Sequence, residues 1–322
     1  MSTMLKVENL VTSLQPGSPA QVDIVRDVSF ALGPGQILGV VGESGSGKSM
    51  MAYSLIDLLD RKIAITGGRV MFQGADLTEA TPAQMRHLRG NRIAMIFQDP
   101  MVALNPVLTI GEQMVEAIQA HRRMSKRKAE ALAIETLARV GIPSPESRMS
   151  AYAHEFSGGM RQRVVIAIAF LNEPDLIIAD EATTALDVTI QSQIIAEIQG
   201  LAEETGAAIL WITHDLSLLS GFADAVMVMY AGQVIEIAPA ETLFAAPRHP
   251  YTAALMRAVP VAGRARLENL DGVPPSLAAL PPGCAFAPRC PRAQPRCSEQ
   301  VPPFEGDTAL GWRCFYPLED DR

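Results

Sequence analysis

Gly42-Glu43-Ser44-Gly45-Ser46-Gly47-Lys48-Ser49 is the stretch whose reading decides the fold. It matches G-x-x-x-x-G-K-[ST], and its flanks turn the match into a site. Before it, Ile37-Leu38-Gly39-Val40-Val41 is short and apolar and reads as a buried strand. After it, Met50 to Leu59 carries no Gly or Pro and reads as a helix. Between strand and helix, glycines let successive backbone N–H groups point inward at phosphate oxygens. The helix N-terminus adds its dipole, Lys48 a charge for β- and γ-phosphates, and the Ser49 hydroxyl a ligand for Mg²⁺. The alternative is a glycine turn that binds nothing, which leaves the Lys-Ser ending without a purpose.

Working outward, 322 residues leave room for about two domains. Apolar residues make up 48% and charged ones 19%, enough for a sizeable core and against wholesale disorder. A net charge of −8 argues against binding along a nucleic-acid backbone, which needs a basic face. The longest apolar run, Val164 to Leu171, falls far short of the ~20 residues that span a bilayer. The first residues carry no basic segment followed by an apolar core, so no secretory signal is expected. A soluble cytoplasmic protein is the expectation.

Along the chain, residues 5–14 and 22–32 read as strands, and a helix after the loop should end near Asp60-Arg61. Arg69 to Gly74 reads as a strand into a turn, and Arg92 to Phe97 as a strand that delivers Gln98 at its carboxyl end. Residues 111–141 read as helical, with Ala129, Leu132, Ala133, Thr136, Leu137 and Val140 on one face. Ser157-Gly158-Gly159 opens a helix to Leu171, and Asp175 to Glu181 is a strand ending in two carboxylates. A helix over 189–204 and a strand over 207–213, ending at His214, come next; two more strands cover 225–230 and 233–237. The alternation predicts an α/β fold on a mainly parallel sheet covered on both faces, with function at the strand ends. After residue 239 Pro density rises and regular structure is hard to argue.

Asp180 and Glu181 have their own chemistry. A carboxylate at the end of an apolar strand can hold Mg²⁺, and its neighbour can polarise a water that attacks a γ-phosphate. A single such carboxylate is more often a helix cap. Two of them after Leu-Ile-Ile-Ala, downstream of a phosphate loop, favour the catalytic reading. His214 alone would be an ordinary partly buried histidine; its place between Ile-Thr and Asp, beyond that pair, favours a functional one.

Over about residues 5–240 the sequence resembles the ATP-binding subunits of ABC transporters. The matches are the Walker A loop at 42–49, the Q-loop glutamine Gln98, the signature Ser157-Gly158-Gly159, the Walker B strand at 176–180 with Glu181, the D-loop Ala185-Leu186-Asp187 and the switch histidine His214. Gln98 to Gly111, the Phe156-Ser-Gly-Gly-Met160 signature and His249-Pro-Tyr-Thr-Ala-Ala-Leu255 are similar to the dipeptide, oligopeptide and nickel importer branch. The resemblance implies a P-loop ABC-type nucleotide-binding domain over 1–240, with a helical subdomain at about 100–172, and a Pro/Cys-rich extension over 241–322. It implies ATP on Gly42, Ser44, Gly45, Ser46, Gly47, Lys48 and Ser49. It places Mg²⁺ at Ser49, Gln98 and Asp180, and hydrolysis at Glu181, His214 and Gln98. Two cassettes would pair head to tail, the Ser157, Gly158 and Gly159 of one closing over the ATP of the other. The implied partners are a second ATPase subunit, expected to be a different chain, two transmembrane permeases and an extracytoplasmic substrate-binding protein. The implied location is peripheral, on the cytoplasmic face of the inner membrane. The absence of an aromatic in residues 1–29 departs from the family and leaves Leu14 to offer adenine apolar contact.

A DNA-associated ABC ATPase would carry long coiled coils between Gln98 and the signature, and residues 99–156 hold no sustained heptads. A cassette that binds ATP without turnover is opposed by the intact Lys48, Asp180, Glu181 and His214. Cargo is not legible: dipeptide, oligopeptide, glutathione and nickel all remain open.

The cysteines are confined to the tail as Cys284, Cys290, Cys297 and Cys314, spaced C-x5-C-x6-C-x16-C. Four thiols in a reducing compartment, in a segment too short and Pro-rich for a core, ask for a staple other than a disulfide. The spacing lacks the C-x2-C knuckles of structural zinc, and four thiolates equally suit a [4Fe–4S] cluster. The tail resembles importer segments that carry such a cluster, which makes iron–sulfur the expectation and zinc the alternative.

Overall fold

The computed structural model describes residues 3–183, 187–258 and 270–319. Its contacts divide the chain into two units, Met1–Glu79 with Ile212–Arg322, and Ala80–Trp211. Of the expected D-loop, Ala185 and Leu186 lie outside the described residues.

The first stretch of chain forms β1 (Leu5–Leu14), β2 (Val22–Leu32), β3 (Ile37–Val41), α1 (Lys48–Leu55), β4 (Ile63–Phe72) and β5 (Ala75–Asp76). β1 is antiparallel to both β2 and β4, with Leu5 opposite Leu32 on one side and Phe72 on the other. Leu5, Val7, Leu10, Val28, Phe30 and Leu32 are buried, the period-two pattern of a sheet with one covered face. The helix after the loop stops at Leu55, short of the expected end near Asp60. Leu58 N–H bonds to Tyr53 O and Asp57 N–H to Ser54 O, with Asp57 at φ 49°. This is a Schellman-type stop with Asp in the place that glycine usually takes, so the pattern of Gly and Pro gave no warning of it.

The second unit supplies α2 (Pro82–Leu88), β6 (Ile93–Ile96), α3 (Pro100–Ala103), α4 (Ile110–Gln119), α5 (Lys126–Arg139), α6 (Pro145–Arg148), α7 (Gly158–Phe170), β7 (Leu176–Asp180), α8 (Val188–Thr205) and most of β8 (Ala208–Thr213). β6 and β7 are parallel, with Ile93 beside Leu176. The single helical stretch expected over 111–141 is two helices. α4 buries Ile110, Met114, Val115 and Ile118, and α5 buries Ala129, Ala133, Thr136 and Leu137. The two stripes are in phase, which is why they read as one helix. The positions that would join them hold His121, Arg122 and Ser125, which offer nothing to bury. The chain turns there, Ser125 starts the next helix, and the two helices pack on each other. Among the described residues no helix is long and apolar enough to cross a membrane.

Back in the first unit come α9 (Leu216–Leu219), β9 (Ala225–Tyr230), β10 (Gln233–Pro239), α10 (Ala240–Ala245), α11 (Pro250–Ala258), α12 (Pro295–Glu299), β11 (Glu305–Gly306) and β12 (Gly311–Trp312). β3 and β9 pair in parallel here; β10 and β12 add antiparallel strands in the order β11-β12-β10-β9-β3. Two residues, Ala231 and Gly232, join β9 to β10, too few for the crossover that parallel strands need. The expected mainly parallel sheet is therefore mixed, and a separate antiparallel sheet of β2-β1-β4-β5 stands beside it in this unit. The tail, where regular structure is hard to argue from the sequence, supplies helices and two short strands, Trp312 of β12 pairing with Glu236. Arg313 in this tail donates to Asp27 Oδ2 of β2 at 3.0 Å.

Candidate functional site

The phosphate loop leaves the carboxyl end of β3, whose Leu38, Val40 and Val41 are buried. Gly47 caps α1 at φ 97°, and a Cβ there would meet Ile24 O at 2.9 Å. At Gly42 a Cβ would stand 2.2 Å from Met229 O, so both positions require glycine. Gly232 N–H donates to Ser46 O at 3.0 Å and ties the loop to the β9–β10 turn. Lys48 is buried, and its ammonium donates to Gly42 O at 2.7 Å and Glu43 O at 3.0 Å. Ser44 and Gly45 form the exposed tip, and Ser49 is half-buried in the first turn of α1. A curled loop, a helix N-terminus and a fixed cation make an anion site.

Glu43, an unspecified x in the motif, is held by the tail. Its N–H donates to Tyr251 Oη at 3.0 Å, and its carboxylate takes two bonds from Arg289 at 2.6 and 2.9 Å. Tyr251 sits in the first turn of α11, where His249 Nδ1 accepts its N–H at 3.0 Å. Burial holds His249 at a pKa of about 3, so the capping imidazole is neutral at physiological pH. The buried Glu236 carboxylate accepts from the N–H groups of Arg248 and His249, and burial raises its pKa. The His249-Pro-Tyr run thus has a structural task, to start α11 and aim Tyr251 at the phosphate loop. Neither this task nor Arg289 was legible from motif spacing.

In the second unit, β7 ends in Asp180, which is 2% exposed, and Glu181 follows at φ 48°. A non-glycine residue in the left-handed region is a strained one, and such strain gathers where a side chain must be aimed. Gln98, exposed beyond β6, donates Nε2–H to Glu181 Oε2 at 3.0 Å. Two parallel neighbours, β6 and β7, therefore deliver an amide and a carboxylate to one place. Ser157 caps α7 and accepts Met160 N–H at 3.3 Å. Ser157 and Gly158 are exposed, and open space faces Gly158 at the start of a 13-residue helix. A groove of about 830 Å³ beside α4 and α5 contains none of these residues. In the first unit, His214 is exposed one residue past β8, while Asp215 caps α9.

The four cysteines are free thiols and all line one cavity of about 20 Å³, with His249 and Phe286. Burial raises the pKa of Cys284 and Cys290 and brings Cys314 to about 11, disfavouring thiolates. Among the described residues no three His, Cys, Asp or Glu side chains are arranged to hold a metal ion. Four thiols around one space are a donor set that suits iron or zinc. Beyond that donor set nothing among the described residues supports the expected [4Fe–4S] cluster. The expected Mg²⁺ donors are of another kind: a hydroxyl, an amide and a carboxylate are hard oxygen ligands, and Mg²⁺ bound by them relies on substrate phosphates for the rest.

Residues 25–184 match the ABC transporter family, and residues 235–297 match the oligopeptide/dipeptide transporter C-terminal region. A probable peptide ABC transporter ATP-binding protein of Sinorhizobium fredii is 48% identical over 96% of this chain and 95% of its own length. The dipeptide transport ATP-binding protein DppD of Bacillus subtilis is 46% identical over 94% and 91%. Among solved structures, the ATP-binding cassette MJ0796, dimeric and bound to ADP and Pi, matches with a TM-score of 0.66 at 26% identity, covering 74% of this chain and 99% of that one. The chain belongs to the ABC transporter family, among its peptide-import ATP-binding subunits, and is an ABC-type ATPase.

Proposed function

We propose that the chain is the ATP-hydrolysing motor subunit of a membrane importer for peptides of the dipeptide or oligopeptide class. The observation that carries the hydrolytic part is the Gln98–Glu181 hydrogen bond at the ends of β6 and β7. Peptide cargo is supported by the relatives' names and by the matching C-terminal region.

In this reading Gly42, Ser44, Gly45, Ser46, Gly47 and Lys48 hold the β- and γ-phosphates. Ser49, Asp180 and the Oε1 of Gln98 would hold Mg²⁺, which when bound would neutralise charge on the phosphates. Gln98 already spends its Nε2–H on Glu181, which leaves its oxygen for the metal. Glu181 takes a proton from the attacking water, and His214 steadies the γ-phosphate. Ser157, Gly158 and Gly159 serve the ATP of a second cassette, expected to be a different chain. Met101, Val102 and Val107 are exposed apolar side chains just after Gln98 and support a permease-facing surface there. The remaining partners are two permeases and an extracytoplasmic binding protein, and the chain is peripheral at the cytoplasmic face of the inner membrane. Co-purification from membranes, then transport assays over dipeptides, oligopeptides, glutathione and nickel, tests the reading. Transport of none of the peptides would overturn the cargo.

The isolated chain should hydrolyse ATP poorly, because the signature that completes its site comes from elsewhere. Activity should rise steeply with the partner cassette and permeases. Full turnover independent of protein concentration and partners would contradict a composite site.

The cysteine segment enters only as a candidate thiolate site, and metal analysis decides it. With iron–sulfur, protein purified without oxygen is brown and carries about four irons per chain. One zinc in a colourless preparation replaces the cluster with the alternative, and no metal removes both.

A further inference from the structure

The cysteine-bearing tail reaches the phosphate loop at Glu43. Arg289 lies between Cys284 and Cys290, and its side chain is 4% exposed. Its Nη1 and Nη2 donate to the two Glu43 carboxylate oxygens at 2.6 and 2.9 Å, a fork-to-fork pair. Nη1 also donates to Tyr230 Oη at 3.2 Å, and Nε to Asp271 O at 3.0 Å, so all three nitrogens are engaged. Tyr230, Tyr251 and Phe286 pack in a cluster with ring centroids 4.7 to 5.4 Å apart and wall off this corner. The start of the loop is therefore held at its backbone by Tyr251 and at its side chain by Arg289.

A carboxylate in a phosphate-binding loop opposes the charge of a nucleotide. Glu43 escapes that conflict because a guanidinium covers both of its oxygens and turns it toward the tail. We propose that Arg289 is a positioning residue for nucleotide binding, acting through Glu43, so that nucleotide affinity depends on the fold of the cysteine-bearing segment. The proposal rests on reading residues 42–49 as the phosphate site. Binding coupled in this way is reciprocal: nucleotide bound to the loop in turn steadies the tail.

Calorimetric titration of the full chain with MgADP tests it. Arg289→Ala should weaken affinity about tenfold, since it leaves an uncovered negative charge beside the phosphates. Glu43→Gln should stay within about threefold of the unaltered chain, because it removes the charge itself. The double variant should recover most of the loss, because no unpaired charge is left behind. A tail that had merely unfolded would not recover. Arg289→Ala binding like the unaltered chain, or a double variant as weak as Arg289→Ala, overturns the proposal. Lys48→Ala separates the two readings: if it binds normally, the phosphate-site reading falls and takes the proposal with it. If only Lys48→Ala weakens binding, the phosphate site stands and the role of Arg289 falls.

Discussion

Glu181→Gln in the assembled complex should bind ATP as the unaltered chain does and hydrolyse it about 10²- to 10⁴-fold more slowly, the range for a lost general base. The amide keeps the shape, and its oxygen can still accept the Gln98 Nε2–H that Glu181 Oε2 accepts at 3.0 Å. What it loses is the capacity to take a proton from water. The backbone at φ 48° is the same for either side chain, so the substitution tests chemistry rather than strain. Nucleotide affinity and single-turnover hydrolysis, measured on the same preparation, separate the two effects. Near-normal hydrolysis would sink the assignment, and lost affinity would make Glu181 a nucleotide ligand instead.

Lys48→Ala should act on binding itself. Lys48 is 5% exposed, and its ammonium is shared among Gly42 O, Glu43 O and Ser46 Oγ, so it is fixed at the loop before any phosphate meets it. Truncating one partner of a buried charge contact costs about 2–5 kcal/mol, so affinity for MgATP should fall at least about 30-fold. A titration in which Lys48→Ala binds as tightly as the unaltered chain would mean that residues 42–49 are not a phosphate site.

The parts of the site that were legible are local ones. A strand, a glycine turn and a helix in succession carry their own geometry, so Gly42–Ser49 could be placed without knowing any neighbour. The same is true of Ser157, a cap fixed by the helix it opens, and of Asp180 and Glu181, delivered by the strand before them. Gln98 and Glu181 could each be placed at a strand end, but their contact depends on β6 lying beside β7.

The amino-acid sequence alone placed Gly42–Ser49 between a strand and a helix, and Asp180 and Glu181 at a strand end, through short runs whose backbone conformation is set by nearest neighbours. The ABC-type fold was read from the family its motifs resemble. Only the tertiary structure decided what depends on distant partners. The in-phase stripes of α4 and α5 do not say that the chain folds back between them, because a period records a face and not where its partner stands. The tail shows little periodicity because its short elements are held by contacts to others, such as Trp312 opposite Glu236. Arg289 and Glu43 are 246 residues apart in sequence, and no local pattern pairs them. Four cysteines close in sequence indicated a donor set, but only packing decides that all four line one space.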